Sequence, residues 1–473
     1  TSADRALSGN FAALVEAVAG HRPERVALRW DGGIMTYGDL AARAAEFAEH
    51  LAARGVRPGQ RIALSIPNRP DLVVALLGAL AAGVTVAPLD TLLKDEERAA
   101  IVSDLEPALL VESGIGGDLM EQLLPGGGPT VPAPALVLYT SGSTGRPKGS
   151  MLSHAALAFA NRSWAGPVMG LREDDVVLAV LPLAHSFGLN GALLAPLLAG
   201  ATVRLVERFV PGAVAEVLER DGVTVLPAVA TMFQRLLDAG FAGASRLRLG
   251  VSGAAPCSWD LAETWRTRTG VRIVRGYGMT ELFRPLSYLA GETADYPECV
   301  GRPVPGVEIR VVDDGGRVVT AGEEGELLIR TPAVMDGYHG SADDDTKAVL
   351  VDGWFRTGDL ARVTADGYVA IVGRKRERIK RGGYSVFPAE VEAVLHAHPA
   401  VAEAAVGGVP DAALGEEVAA WVALRPGGRA DADELIAWCR DRLAAFKYPR
   451  RVSFVAALPR SATGKILKSQ LRQ

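Results

Sequence analysis

The apolar positions of this chain fall into two rhythms that alternate along most of its length. Short, mostly apolar runs at 26–30, 61–66 and 84–88 read as strands. Between them lie stretches of helical spacing at 11–19 and 71–82. Thr36-Tyr-Gly-Asp39 opens a further Ala-rich helix, with Thr36 as its N-cap. The alternation resumes with strands at 176–181, 202–206, 223–227, 247–251 and 272–275, and helices at 211–220 and 230–239. From about residue 301 to 372 the period shortens to two, with strands at 307–312, 325–330 and 368–372 between Gly and Asp turns. A second α/β pattern covers 377–473, with helices at 388–396 and 431–445 and strands at 401–409 and 417–424. Residues 113–134, rich in Gly and Pro, are expected to form a surface connection.

This order implies an α/β fold. A large N-terminal domain of mixed, mainly parallel sheets with helices is expected over 1–375, with a β-rich subdomain at about 301–372, and a small α/β domain over 376–473. Between the two patterns lies a run with six basic residues in nine, 373–381, expected to be mostly a solvated face.

Composition narrows the picture. The 473 residues are 49% hydrophobic and 22% charged, enough for a large core. A net charge of −5 gives no reason to expect nucleic acid as a partner. Cys257, Cys299 and Cys439 are widely spaced, which argues against a disulfide framework or a zinc site and fits a reducing cytoplasm. No apolar run reaches membrane-spanning length, and the first residues lack the form of a signal peptide.

The chemistry concentrates in one loop, Leu136-Val-Leu-Tyr-Thr-Ser-Gly-Ser-Thr-Gly-Arg-Pro-Lys-Gly149. A buried strand at 135–139 breaks into small residues. Gly142, Gly145 and Gly149 let the backbone turn sharply. Thr140, Ser141, Ser143 and Thr144 offer hydroxyls, while Arg146 and Lys148 offer charge, a combination suited to polyphosphate oxygens. Pro147 excludes a Walker A loop, and a flexible linker is the bland alternative. Tyr277, between Gly276 and Gly278, could stack on a base or simply sit in the core. Glu281 is an oxygen ligand of the kind Mg²⁺ takes. Asp359 could accept both hydroxyls of a ribose, or cap a helix starting at Leu360.

Five motifs follow one another in a recognisable order. They are the loop above, Arg275-Gly-Tyr-Gly-Met-Thr-Glu281, Gly353-Trp-Phe-Arg-Thr-Gly-Asp359, Gly373-Arg374 and Pro459-Arg-Ser-Ala-Thr-Gly-Lys465. On these the chain resembles, nearly end to end, the adenylate-forming superfamily of acyl-CoA synthetases, nonribosomal peptide adenylation domains and luciferases. The resemblance implies ATP, Mg²⁺ and CoA as cofactors. It implies activation of a carboxylic acid as an acyl-adenylate with loss of pyrophosphate, then transfer to a thiol. Thr140 to Gly145 and Lys148 would hold phosphates, and Gly253, Ala254, Ala255 and Pro256 the adenine edge, with Gly276 to Met279 alongside. Asp359 and Arg374 would hold the ribose. Lys465 would bridge carboxylate and α-phosphate, with Glu281, Thr280 and His185 also catalytic. The small domain would be a mobile lid turning at Arg376 and presenting Gly382 and Gly383 to the thiol.

By position the acyl pocket would draw on His185, Phe187, Ala228, Val229, Met232, Phe233, Gly253, Gly276 and Met279. His185 reads as an aromatic gate or as a satisfied core histidine. The 182–191 stretch carries no carboxylate for an α-ammonium, so an apolar or aromatic acid is expected. Arg284, just after the Thr-Glu pair, is expected at the surface, with pairing to a second carboxylate as the alternative. An acyl carrier protein could replace CoA as acceptor, and some superfamily members resemble diazotases that activate nitrite for an aromatic amine.

Overall fold

A computed structural model describes residues 9–113, 119–128, 133–141, 147–340, 343–382, 384–460 and 466–471. The chain forms two compact units, Thr1–Glu308 with Ile329–Phe355, and Ile309–Leu328 with Arg356–Gln473.

Two seven-stranded sheets build the first unit. In one, Thr85–Pro88, Arg61–Ser65 and Leu109–Ser113 are mutually parallel around Arg61–Ser65, and Leu136–Ser141 joins parallel beside Thr85–Pro88. The other runs Ile273–Val274, Leu249–Ser252, Val225–Ala228, Val176–Ala179, Thr202–Leu205 and Val26–Trp30, all parallel, and closes on the antiparallel Gly33–Thr36. Strands such as Val176–Ala179 and Leu249–Ser252 are buried at every position, as a parallel sheet covered on both faces requires. Thr36 caps the helix Tyr37–Ala53 as expected, its Oγ1 accepting from the Asp39 N–H at 3.1 Å while Asp39 accepts in return from the Thr36 N–H.

The second unit holds strands Glu308–Val312, Gly325–Arg330, Trp354–Val363 and Val369–Arg374. It also holds a five-stranded sheet in which Gly415–Leu424 lies between Ile379–Arg381 and Val401–Asp411, with Arg451–Phe454 beside it. Helices Pro388–His396 and Ala432–Arg440 pack Val391, Leu395, Leu435 and Cys439 onto this sheet.

Several expectations change. Part of the 113–134 connection is a strand, Leu119–Leu123, paired antiparallel with Leu109–Ser113. The apolar helix after Pro182 starts with π geometry over Gly188–Leu194, where a Cβ on Gly188 would run into the Pro182 carbonyl. The basic run at 373–381 is largely matched by acids rather than merely solvated. Lys375 meets Asp314 at 3.0 Å and Glu326 at 3.1 Å, and Arg381 meets Glu417 at 2.5 Å. Arg376, on the turn Lys375–Glu377, and Lys380 are its exposed members.

Phe233 belongs to the core. It is fully buried and packs edge-on to Trp265 at 4.8 Å. Phe233→Ala is expected to cost about 3–5 kcal/mol, read as a lower midpoint in urea unfolding. A loss below 1 kcal/mol would show that the ring is not a core element.

Candidate active site

The loop at the centre of the sequence is closed at its base. Leu136–Ser141 and Pro147–Leu152 pair antiparallel up to Thr140 opposite Lys148 and Ser141 opposite Pro147. Gly142, Ser143, Thr144 and Gly145 lie outside the described residues, as do Gly383 and Lys465. The strand Gly337–Tyr338 pairs with the far side of Pro147–Leu152 and sets Tyr338 against the loop's lysine. Lys148 Nζ lies 5.4 Å from the Tyr338 ring centre and 2.6 Å from Asp345 Oδ2. The Tyr338 hydroxyl donates to Glu281 Oε1 at 2.9 Å. Burial first, and then the Glu281 charge, raise the Tyr338 pKa far above its ordinary value, so this donor stays protonated. Lys148 and Glu281, distant in sequence, are thereby ordered by one ring.

Glu281 suits the magnesium ion that the family implies. Tyr338 fixes one carboxylate oxygen and leaves the other for a metal, and Mg²⁺ commonly takes one or two carboxylates with substrate phosphates as its remaining ligands. Among the described residues no group of three or more His, Cys, Asp or Glu side chains is placed to hold a metal ion by itself.

Gly276–Met279 forms a hairpin with Phe283–Ser287, and Thr280 and Glu281 fall in its turn. A Cβ on Gly278 would overlap the Phe283 carbonyl, so glycine is required at this crossing. Phe283 has φ +56°, a left-handed conformation that costs a bulky residue about 1–2 kcal/mol. Ala254, in the turn after Leu249–Ser252, has φ +64°, and Ala254, Ala255 and Pro256 are exposed. Two segments of the predicted nucleotide site thus hold strained residues, a pattern that clusters at ligand sites.

At the acyl wall, His185 Nε2 lies 2.9 Å from Asp90 Oδ2. The Asp90 side chain is 6% exposed and that of His185 31%. Burial alone would raise the Asp90 carboxyl, but the bonds from His185 and the Leu92 N–H outweigh it and hold it below its ordinary value. Phe187 stacks on Trp164 at 5.6 Å, and a Cβ on Gly253 would lie 3.3 Å from the Phe187 ring. Phe187, Gly253 and Gly276 come together here, whereas Phe233 and Ala228 are in the core behind them. Val229 and Met232 lie at the start of helix Ala230–Asp238, half-buried.

Arg284 is not a surface residue. It is 6% exposed, and its guanidinium reaches the Ser252 carbonyl at 2.8 Å, the Val274 carbonyl at 3.2 Å and Ser287 Oγ at 3.0 Å. Asp90, Trp164, Tyr338, Asp345 and the burial of Arg284 escaped the sequence reading. One signal was present for Asp90, which follows the carboxyl end of the parallel strand Thr85–Pro88, where α/β sheets bind ligands.

In the second unit, Asp359 sits inside the strand Trp354–Val363, which removes the helix-cap alternative. It is directly opposite Arg374, whose Nε is 2.6 Å from its Oδ1, and the Asp359 side chain is 3% exposed. The two residues expected to share a ribose are therefore neighbours. Gly382 has φ +53° and donates its N–H to the Leu414 carbonyl at 2.8 Å. The ends of the segment carrying Lys465 meet in a bridge between Arg460 and Ile466.

The depressed Asp90 pKa fixes a sign. Its contribution to stability is complete above the ordinary carboxylate value of about 3.9 and is lost as pH falls through the lower folded value. Asp90→Asn should therefore melt below the parent protein at pH 7, with the gap closing as pH drops below 4. A gap that is constant with pH would contradict the ionised pair.

Comparison with known proteins agrees with this geometry. The family model described as AMP-binding enzyme matches residues 15–131 and 128–339, and that of the AMP-binding enzyme C-terminal domain matches 390–465. A feruloyl-CoA synthase of Amycolatopsis sp is 37% identical over 95% of this chain and 96% of its own. A benzoate–CoA ligase of Thauera aromatica is 35% identical over 93% of this chain and 91% of its own. The o-succinylbenzoate CoA synthetase of Bacillus subtilis, solved with its acyl-adenylate intermediate, superposes with TM-score 0.87 at 31% identity, covering 97% of this chain and 98% of that one. The chain belongs to the AMP-binding enzyme family and is an AMP-forming acid–thiol ligase that uses ATP and CoA.

Proposed function

We propose that this ligase activates an apolar or aromatic carboxylic acid and passes it to CoA. The observation that supports the acid class is the wall itself. Phe187 stacks on Trp164, and the Asp90 carboxylate nearby is buried and taken up by His185, which leaves no free acid beside them among the described residues to pair an α-ammonium. Relatives named for ferulate and benzoate point to the same class.

In this reading Thr140, Ser141, Gly142, Ser143, Thr144, Gly145 and Lys148 hold the β- and γ-phosphates. Tyr277 stacks on adenine, Gly253 to Pro256 border its edge, and Asp359 with Arg374 takes the ribose hydroxyls. Magnesium, when bound through Glu281, supplies neutralising charge to the phosphates. A carboxylate oxygen of the acid attacks the α-phosphorus and pyrophosphate leaves. Lys465 balances the charge between carboxylate and α-phosphate, and Thr280 is also assigned to catalysis. The 376–473 domain then turns at Arg376, withdrawing Lys465 and bringing Gly382 and Gly383 to the thiol path. The thiol sulfur attacks the acyl carbon, AMP departs with the bonding pair, and His185 gates the approach. Cys257, Cys299 and Cys439 form no disulfide, and the proposed location is a reducing cytoplasm. No helix among the described residues is long and apolar enough to cross a membrane.

Mass spectrometry of products from MgATP and a panel of acids, with and without CoA, tests the reading. A CoA thioester from aromatic acids is expected. Acyl-adenylate that persists unchanged with CoA would move the acceptor to a carrier-protein phosphopantetheine, and a diazo product from nitrite and an aromatic amine would overturn the acid. Lys465→Ala is expected to slow adenylation by roughly 10²–10³-fold. The same variant should still convert a supplied acyl-adenylate to thioester, and equal loss in both halves would contradict the division of labour.

A further inference from the structure

The acyl wall contains a charge that the adenylation chemistry does not use. Arg284 is buried on the Phe283–Ser287 strand, and among the described residues no carboxylate lies within ion-pair distance of it. Its five N–H donors make three bonds, all to neutral oxygens of Ser252, Val274 and Ser287. The guanidinium overlies the Trp164 ring at 4.9 Å. The indole N–H of Trp164 is itself buried with no acceptor among the described residues. Desolvation brings the arginine pKa down to about 9, so it remains charged at neutral pH at the cost of its hydration.

This charge borders the acyl site. A Cβ on Gly253 would lie 3.1 Å from Arg284 Nη1, and a Cβ on Gly276 would overlap the guanidinium. Phe187 touches the same Gly253 position. Two pocket glycines thus clear the space in which the cation lies. Holding carbonyls together does not explain the charge, because Asn68 does that work on the same sheet with a neutral amide. Its Nδ2 reaches the carbonyls of Ala179 at 3.2 Å, Leu181 at 2.8 Å and Val206 at 3.2 Å. A buried guanidinium with spare donors calls for an acceptor that arrives with the ligand.

Resting on the ligase reading above, we infer that Arg284 receives an oxygen at the distal end of the acid, so that the substrate is an aromatic acid bearing a ring hydroxyl or a second carboxylate. Arg284 is in this account a specificity residue and takes no part in bond making.

The test uses matched acids on benzoate, phenylacetate and cinnamate frames, each unsubstituted, with a para hydroxyl and with a para carboxylate. Thioester formation is measured as kcat/KM for the full chain and for Arg284→Met and Arg284→Lys, with melting temperatures to confirm folding. At least one frame should favour an oxygen-bearing acid about 10-fold or more over its unsubstituted partner, and the hydroxyl and carboxylate arms show which oxygen is read. The preference, read as the ratio of kcat/KM for the oxygen-bearing acid to that for its unsubstituted partner, should disappear in Arg284→Met and return in part in Arg284→Lys. A parent enzyme that turns over the unsubstituted acids at least as well, or a folded Met variant that keeps the preference, overturns the inference and leaves the ligase intact. Absence of a thioester from every acid overturns the proposed aromatic-acid class on which the inference rests.

Discussion

Carbonyl groups at the carboxyl ends of buried parallel strands must find donors, because the sheet stops there and water does not reach them. In this molecule side chains from elsewhere in the chain supply those donors. Asn68 gathers the carbonyls of Ala179, Leu181 and Val206, and its own oxygen accepts from the Leu183 N–H at 3.0 Å. Arg284 does the same for Ser252 and Val274. These bonds fix the 182–187 turn and the hairpin Gly276–Met279 to Phe283–Ser287 against one sheet edge. His185, Phe187, Gly276 to Met279, Thr280 and Glu281 sit on the elements so fixed.

The same edge explains why polar groups carry the specificity. His185 and Asp90 come from the carboxyl ends of strands in different sheets, so their bond joins the two sheets at the wall. Tyr338 plays the equivalent part at the phosphate end, where it separates Lys148 from Glu281 while touching both. The ring stands between Lys148 and Glu281, and the ion pair that Lys148 makes is with Asp345 instead.

Much of this was legible in the sequence, for a physical reason. A parallel strand buried on both faces must be largely apolar, so the runs at 61–66, 176–181 and 247–251 marked themselves. The 136–149 loop, Glu281 and Asp359 stood out as candidates because local chemistry and motif order coincide there. What stayed hidden depended on contacts across long separations. Asp90 pairs with a residue 95 positions away, and Tyr338 with one 57 away. Arg284 misled because arginine is seldom buried without an acid, and only the left-handed turn at Phe283 and the glycines at 253 and 276 make its burial possible. Phe233 misled in the other sense, since a helix start near the site gives no sign of which ring turns into the core.

The central claim is that an oxygen of the acid attacks the α-phosphorus of ATP. It is tested most directly by letting the enzyme consume an accepted acid labelled with ¹⁸O in its carboxylate, in the presence of MgATP and CoA, and weighing the AMP produced. The account predicts one ¹⁸O atom in AMP and none in pyrophosphate. Unlabelled AMP, or label recovered in phosphate or pyrophosphate, would contradict it.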